Sequence, residues 1–456
     1  MATIYNFSRN ALLQKIGLSP GKRLLVFLIS AVMLTIPLGN TYNSIAIILF
    51  VLYSILAAKK ENITFNKELL LPILLFVLMA LSLFWSINFK SSAKALSKEA
   101  SLLFIPLAFC LNRHYTKRLA LQVLNNYSLG MCVYALYFLI RAYIRYIGGE
   151  GANVFFYHEL ATNAINAIYL SAIVSPAMLW FLVKQHRSFW GYASFLFLLG
   201  FIFLLSSKTI IIINVLLIAA YYLFYSPLTV KAKITSVVLF FAFVGVIGYN
   251  SMIKDRIVEE FTPNVQTEAV DETELHNVTI HEAWTKQNFK GNDYFNGIAF
   301  RVYQIRIFTE MLQRDRILFT GYGLNASLEK ITEKGEEHTL YQSNDEQMTY
   351  SKMNFHNQYV EVFADLGIFG LLIIVVMLGV NLKNSLKNKD FIHIAFAILM
   401  IALFLTESFL WRQRGVVFFT IFYCLFNGIL LKGAKKEKYE KNTHNGSSRL
   451  PGVASV

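Results

Sequence analysis

The stretch Leu366-Gly-Ile-Phe-Gly-Leu-Leu-Ile-Ile-Val-Val-Met-Leu-Gly-Val380 contains no charged and no polar side chain. Taken back to Asn357 it forms a largely apolar block over 357–380. A helix needs about 20 such residues to cross roughly 30 Å of hydrocarbon. Blocks of comparable character recur outward in both directions, at 24–38, 43–58, 69–86, 96–111, 119–141, 163–183, 189–206, 209–225, 234–250, 391–409 and 415–432. The expected fold is an all-α integral membrane protein with about twelve transmembrane helices. The first two blocks are short for full spans, so an eleven-span chain with a re-entrant start fits the same pattern. No repeat of fixed period is evident.

Composition agrees. Hydrophobic residues make up 55% of the chain, Phe alone counts 39, and charged residues 15%, against about 25% in a soluble domain. The net charge of +14 does not point to nucleic acid, because the Lys and Arg side chains cluster between apolar blocks. Membrane lipids are the partner that such clusters imply. Cys110, Cys132 and Cys424 lie within or beside apolar blocks, which leaves the hydrophilic part of the chain without a disulfide. The first span follows a basic leader and is expected to act as its own uncleaved targeting signal.

An even number of spans puts both ends on one side. That side then holds Lys22 and Arg23, Lys59, Lys60 and Lys67, Arg113, Lys117 and Arg118, Lys184 and Arg187, Lys231 and Lys233, Lys383, Lys387 and Lys389. The opposite short loops hold only Lys90, Lys94, Lys98, Arg145, Lys208, Arg412 and Arg414. The bias predicts cytoplasmic termini. The organisation read from this is spans one to nine in 1–250, a hydrophilic loop domain on the outer side in 251–355, spans ten to twelve in 356–432, and a disordered cytoplasmic tail in 433–456.

Outer cations run against the charge rule. Lys208 sits in Leu204-Leu-Ser-Ser-Lys-Thr-Ile-Ile211, tightly flanked by apolar residues. Snorkelling to lipid phosphate is one explanation; an ammonium turned into the protein toward an anion is the other.

A loop as long as 251–355 is functional or disordered. Its first part is acidic (Glu259, Glu260, Glu268, Asp271, Glu272, Glu274), suited to acceptor recognition or simply to disorder. From Gly297 to Arg316 a helix is expected, with Ile298, Ile305, Phe308 and Leu312 on one face. Arg301 falls on that face within about 40° of Ile305; Arg306 lies about 140° round from Arg301, and Arg314 is also off the stripe. A buried-face arginine needs an anionic partner. Arg301 is therefore either a ligand for phosphate or carboxylate, or half of a salt bridge with a loop acid.

Gly321-Tyr-Gly323 reads as a turn with positive φ and close backbone approach. It is not a nucleotide loop, since no strand precedes it and no Lys-Ser/Thr follows. Downstream, His356, Val360, Phe363, Gly367 and Gly370 are expected on one helical face, the glycines admitting a neighbouring helix. Glu361 and Asp365 then fall on the opposite face. His276 and His281 do not make a His-Glu-x-x-His zinc pattern. An imidazole can take the proton of a hydroxyl nucleophile, and Arg and Lys can hold a diphosphate and stabilise it as it leaves. That set suffices for glycosyl transfer from a lipid diphosphate, although a lone interfacial histidine is more often a packed side chain than a catalytic one.

At these residues the chain resembles the bacterial O-antigen ligase and O-antigen polymerase-like membrane glycosyltransferases. Their histidine motif, His followed by Asn, Ser or Gln, nine residues, then Gly-x-x-Gly-Thr, is met by His356-Asn357, Gly367 and Gly370, with Leu371 in the threonine position. Their Arg-x-x-x-Leu element ahead of a Gly-x-Gly turn resembles Arg301 to Ile305 before Gly321-Tyr-Gly323. Arg314 to Leu318 fits the letters better but lies nearer the turn. Ser207-Lys208 resembles a Ser-Arg pair entering the eighth span, and Thr406-Glu407-Ser408 with Arg412 and Arg414 resembles the family's last outer loop.

The resemblance implies about twelve spans in the bacterial inner membrane and a large periplasmic loop between the ninth and tenth. It implies an undecaprenyl-diphosphate-linked glycan as donor, a lipid A-core or other glycan acceptor, and no metal or nucleotide-sugar cofactor. It also implies that His356 activates the acceptor hydroxyl, that Arg301 binds the donor diphosphate and that Lys208 assists, with Arg306, Arg412 and Arg414 as further candidates. A ligase and a repeat-unit polymerase share this chemistry. A twelve-helix transporter is the reading from another class; it calls for midplane charges and repeated halves, and the charges here concentrate at the outer rim.

Overall fold

The computed structural model describes residues 21–58, 63, 66–112, 115–162, 164–184, 188–248, 276–340 and 350–428. Every apolar block carries a helix. Those at Asn40–Ala57, Lys117–Ile147, Lys208–Tyr225 and Gln358–Asn388 are long and apolar enough to cross a membrane, and Leu70–Phe84, Ala167–Val183, Phe189–Leu204 and Phe391–Thr406 are shorter apolar helices. The protein is a helical membrane protein. Among the described residues of the hydrophilic part, strand pairing is a two-residue parallel contact, His276–Asn277 with Asp293–Tyr294.

Which helices sit inside the bundle follows from how many faces they bury. Residues 414–427 of the last helix are buried without interruption, and Ala167–Val183 is buried at all but two positions. A helix apolar all round has no solvent face to present, so these two form the centre. Asn40–Ala57 instead exposes Ile45, Ile48, Leu52 and Ile55 along one stripe, the face suited to lipid. Polar contacts join the last three helices: Asn381 accepts from Asn427 at 2.9 Å and bonds His393 at 2.8 Å. Interhelical hydrogen bonds of this kind favour one packing arrangement where apolar burial alone is permissive.

The expected span over 96–111 is divided. Phe89–Glu99 is amphipathic and ends in a buried glutamate, and the apolar part, Ser101–Leu111, has only 11 residues. Lys94 and Lys98 belong to the first, half-exposed piece, where charge is tolerated.

The hydrophilic segment 276–340 with 350–355 packs its own aromatic core around Phe289, Phe295, Phe300, Tyr303, Ile307, Met311 and Phe355. Its main helix is Gly297–Arg314, capped by the Asn296 side chain. The buried face of this helix is only partly the expected one, since Phe308 is buried as expected. Phe300, Tyr303, Ile307 and Met311 point inward, whereas Ile305 is exposed and Ile298 and Leu312 are only partly covered. Aromatic rings bury more apolar area than the aliphatic residues and decide the orientation. Arg306 is consequently buried, and Arg301 turns toward the bundle. The acidic stretch 259–274, the leader and the tail after 428 lie outside the described residues.

Backbone contacts fasten this segment to the bundle. The helix Gln358–Asn388 contains one non-helical residue, Gly367 (φ 67°, ψ −165°), which frees carbonyls ahead of it and the Ile368 N–H after it. Tyr322 and Gly323 donate their N–H groups to the carbonyls of Ala364 and Asp365, both at 2.8 Å, and Ile368 donates to Leu318 at 2.8 Å. A Cβ on Gly321 would collide with the backbone of Asp365, and one on Gly367 with that of Phe319. The expected role of the glycines is thus corrected. Gly367 admits the backbone of Phe319 and Thr320, just ahead of the Gly-x-Gly turn, rather than a neighbouring helix, and the space beside Gly370 is taken by Leu366 and Val362 of its own helix.

Candidate functional site

The junction between the hydrophilic segment and the bundle brings three chain regions together. The first is Asn354–Asn357. His356 does not lie on the helical face expected for it. It precedes the helix in the left-handed region (φ 47°), and Asn357 caps the helix through the N–H groups of Tyr359 and Val360. A non-glycine residue held at positive φ is uncommon and carries a local conformational cost. Here that turn swings the imidazole off the helix, edge-on to the Phe300 ring with centroids 5.6 Å apart.

The second region is the loop helix, which supplies Arg301. Its Nε and Nη2 donate to the Thr406 carbonyl at 3.0 and 2.8 Å, and Nη1 donates to the Gly297 carbonyl at 2.8 Å. Nη2 also lies 3.2 Å from Oε1 of Glu407. The third region, Thr406–Arg414, follows the helix Phe391–Thr406 and carries that glutamate. Glu407 is only 6% exposed, and its other oxygen, Oε2, lies 3.5 Å from His356 Nδ1. One buried carboxylate therefore bridges the guanidinium and the imidazole. Among the described residues, Nε2 of His356 has no protein partner, and the side chain is 31% exposed.

The segment around Glu407 is held from several sides. Ser408 donates its hydroxyl to buried Glu361 at 2.9 Å, and Glu361 also accepts the Phe355 N–H at 3.1 Å. Leu410 donates its N–H to Gln358, and Tyr169 donates its hydroxyl to the Phe409 carbonyl at 3.0 Å. Asp365 accepts from the N–H groups of Asn325 and Ser327 at 2.7 and 3.3 Å. Both carboxylates therefore anchor the junction rather than occupying a face away from it.

Two more cations flank the segment. Arg412 is exposed and its guanidinium lies 5.5 Å from the Tyr169 ring centre. Arg414 is buried, its Nη1 has no hydrogen-bond partner among the described residues, and Nη2 reaches the Leu38 carbonyl only at 3.5 Å. Neither arginine has a carboxylate partner among the described residues. Lys208 starts its helix, half-buried. The far end of that helix meets the start of Phe391–Thr406 through the rings of Tyr221 and Phe391, 5.2 Å apart, so Lys208 and Thr406 lie at the same end of the bundle.

The remaining candidates stand elsewhere. Arg306 is enclosed in the loop core, bonded to Glu310 at 2.9 Å and to the Lys286 carbonyl at 2.7 Å. Arg314 pairs with Glu337 at 2.6 Å on the surface. Glu407 and Tyr169 are the residues for which the sequence offered no role. The only signal was that Glu407 belongs to the Thr-Glu-Ser group beside the last outer arginines.

This is a helical membrane protein with a polar, arginine-rich site at one end, where a soluble segment meets the bundle. Residues 193–375 match the model of the O-antigen ligase family. The match runs from the helix carrying Phe195, through Lys208 and Arg301, past His356 and both motif glycines, and stops before Glu407. The expected resemblance to that family is borne out over this stretch of the chain. No curated protein matches it.

Proposed function

We propose that this protein transfers a glycan from undecaprenyl diphosphate to a sugar hydroxyl of a lipid A-core or related acceptor. The reaction takes place at the periplasmic face of the inner membrane, in a twelve-span chain whose hydrophilic loop covers the site. The observation that carries the proposal is Glu407 bridging Arg301 and His356. A carboxylate on Nδ1 orients an imidazole and stabilises the cation formed when Nε2 accepts a proton.

In this reading the acceptor hydroxyl gives its proton to His356 Nε2 while its oxygen attacks the anomeric carbon. The bond from that carbon to the diphosphate oxygen breaks, and the lipid diphosphate leaves with the electron pair. Arg412, Arg414 and Lys208 receive the developing negative charge, because the two arginines lack carboxylate partners among the described residues. Arg301, whose three nitrogens all contact protein groups, acts mainly by fixing Glu407 and Thr406.

The test is the lipopolysaccharide and lipid-linked glycan profile of a deletion strain. Polymer accumulating on the carrier over a bare core supports ligation. A core bearing at most one repeat unit reassigns the same chemistry to polymerisation. Normal profiles in both pools overturn the proposal.

A further inference from the structure

The end of the bundle opposite His356 contains a cavity of about 1360 Å³. It lies between the starts of Lys117–Ile147 and Phe391–Thr406, the end of Ala167–Val183, and the turn Tyr221–Tyr225. Four cations line it, Lys117, Arg118, Lys184 and Lys389, against one acid, Asp390. None of the four forms an ion pair among the described residues. Lys184 is held at 2.9 Å by the neutral Asn125 side-chain oxygen, which fixes the ammonium without cancelling its charge. The wall between the cations is aromatic, formed by Trp180, Tyr192, Tyr222 and Tyr225.

The space is far larger than an inorganic anion requires and exceeds an ordinary small-molecule pocket of about 300–1,000 Å³. Its rim includes Leu121, Tyr225 and Leu228, which are exposed on the outside of the bundle. Basic pockets between transmembrane helices recognise anionic headgroups, and amphipathic rings settle at headgroup depth. We infer that this cavity binds the headgroup of an anionic phospholipid, with the cations on its phosphates and its acyl chains leaving past the apolar rim. The inference does not depend on the glycan chemistry at the other end.

Native mass spectrometry of the full chain, released from micelles holding equal amounts of cardiolipin and phosphatidylcholine, tests this. The expected result is selective retention of cardiolipin, reduced at least tenfold in an Arg118→Gln/Lys184→Gln double variant and preserved in Lys184→Arg. Equal retention of both lipids overturns the inference, as does unchanged cardiolipin retention in the double variant. Loss of cardiolipin on adding inorganic phosphate overturns it too, by showing a small-anion site. If the double variant fails to fold, the lipid selectivity of the unmodified protein and the phosphate competition still decide.

Discussion

A carboxylate with one oxygen 3.2 Å from a guanidinium and the other 3.5 Å from an imidazole acts on both partners. Removing its charge leaves Arg301 with less reason to hold the Thr406 segment and leaves His356 without an orienting anion. Glu407→Gln preserves the shape while removing the charge, so the expected effect is on turnover rather than on membrane level. General-base contributions are on the order of 10²–10⁴-fold. Glycan transfer by purified Glu407→Gln is expected to fall by about 10²-fold or more, and by His356→Ala to background, with both proteins present at normal amounts. Full transfer by either variant removes that residue from the mechanism. This part of the site was only half legible in the sequence. The histidine motif is local and could be read, whereas Glu407 is distant in the chain and becomes a partner only through tertiary contact. The acids Glu361 and Asp365 were misplaced for the same reason, since their donors stand at Phe355, Ser408, Asn325 and Ser327.

At the scale of elements, the contact between the Gly-x-Gly turn and the Gly367 kink decides whether loop and bundle stay in register. Gly321 has φ 65°, and left-handed backbone costs a non-glycine residue about 1–2 kcal/mol even before its Cβ meets Asp365. Gly321→Ala is therefore expected to loosen the junction, lowering the melting temperature and exposing residues 317–325 to protease. A variant as protease-resistant as the parent shows that the contact is not needed. The loop's own core carries a pH dependence. Burial holds His338 below the ordinary imidazole range, with Glu310 opposing the shift and Arg306 and Lys334 adding to it. A base with a depressed folded pKa binds fewer protons folded than unfolded, so its contribution is complete above roughly pH 6.5 and is lost as pH falls below that value. Thermal unfolding followed at the loop's Trp284 is expected at lower temperature at about pH 5.5 than at about pH 7.5. His338→Gln should shrink the difference, and an unchanged gap in that variant transfers the effect to another group.

For the whole molecule, hydropathy located the helices well because lipid leaves the backbone few alternatives to hydrogen-bonding within a helix. It failed at 96–111, where a break at Ala100 separates an amphipathic helix from an apolar one. It offered no help inside the soluble segment, where Phe300 and Tyr303 outweighed Ile298 and Ile305 in choosing the buried face. The same charge pattern that argues for orientation divides the two ends chemically. His356, Glu407, Arg412 and Arg414 stand at one end, and Lys117, Lys184 and Lys389 at the other, with helices such as Phe391–Thr406 running between. The proposed function requires the orientation that the positive-inside rule favours, with the lysine-rich end in the cytoplasm and the site and residues 276–340 in the periplasm. Two surface cysteines can check this, because native Cys110 and Cys424 are buried and Cys132 is partly covered. With these three replaced, Gln287→Cys is expected to react with a membrane-impermeant maleimide in cells whose outer membrane is permeable. Lys387→Cys, at the opposite end, should react only after the inner membrane is broken. The reverse pattern would invert the chain, place His356 away from periplasmic acceptors and remove the proposed reaction with it.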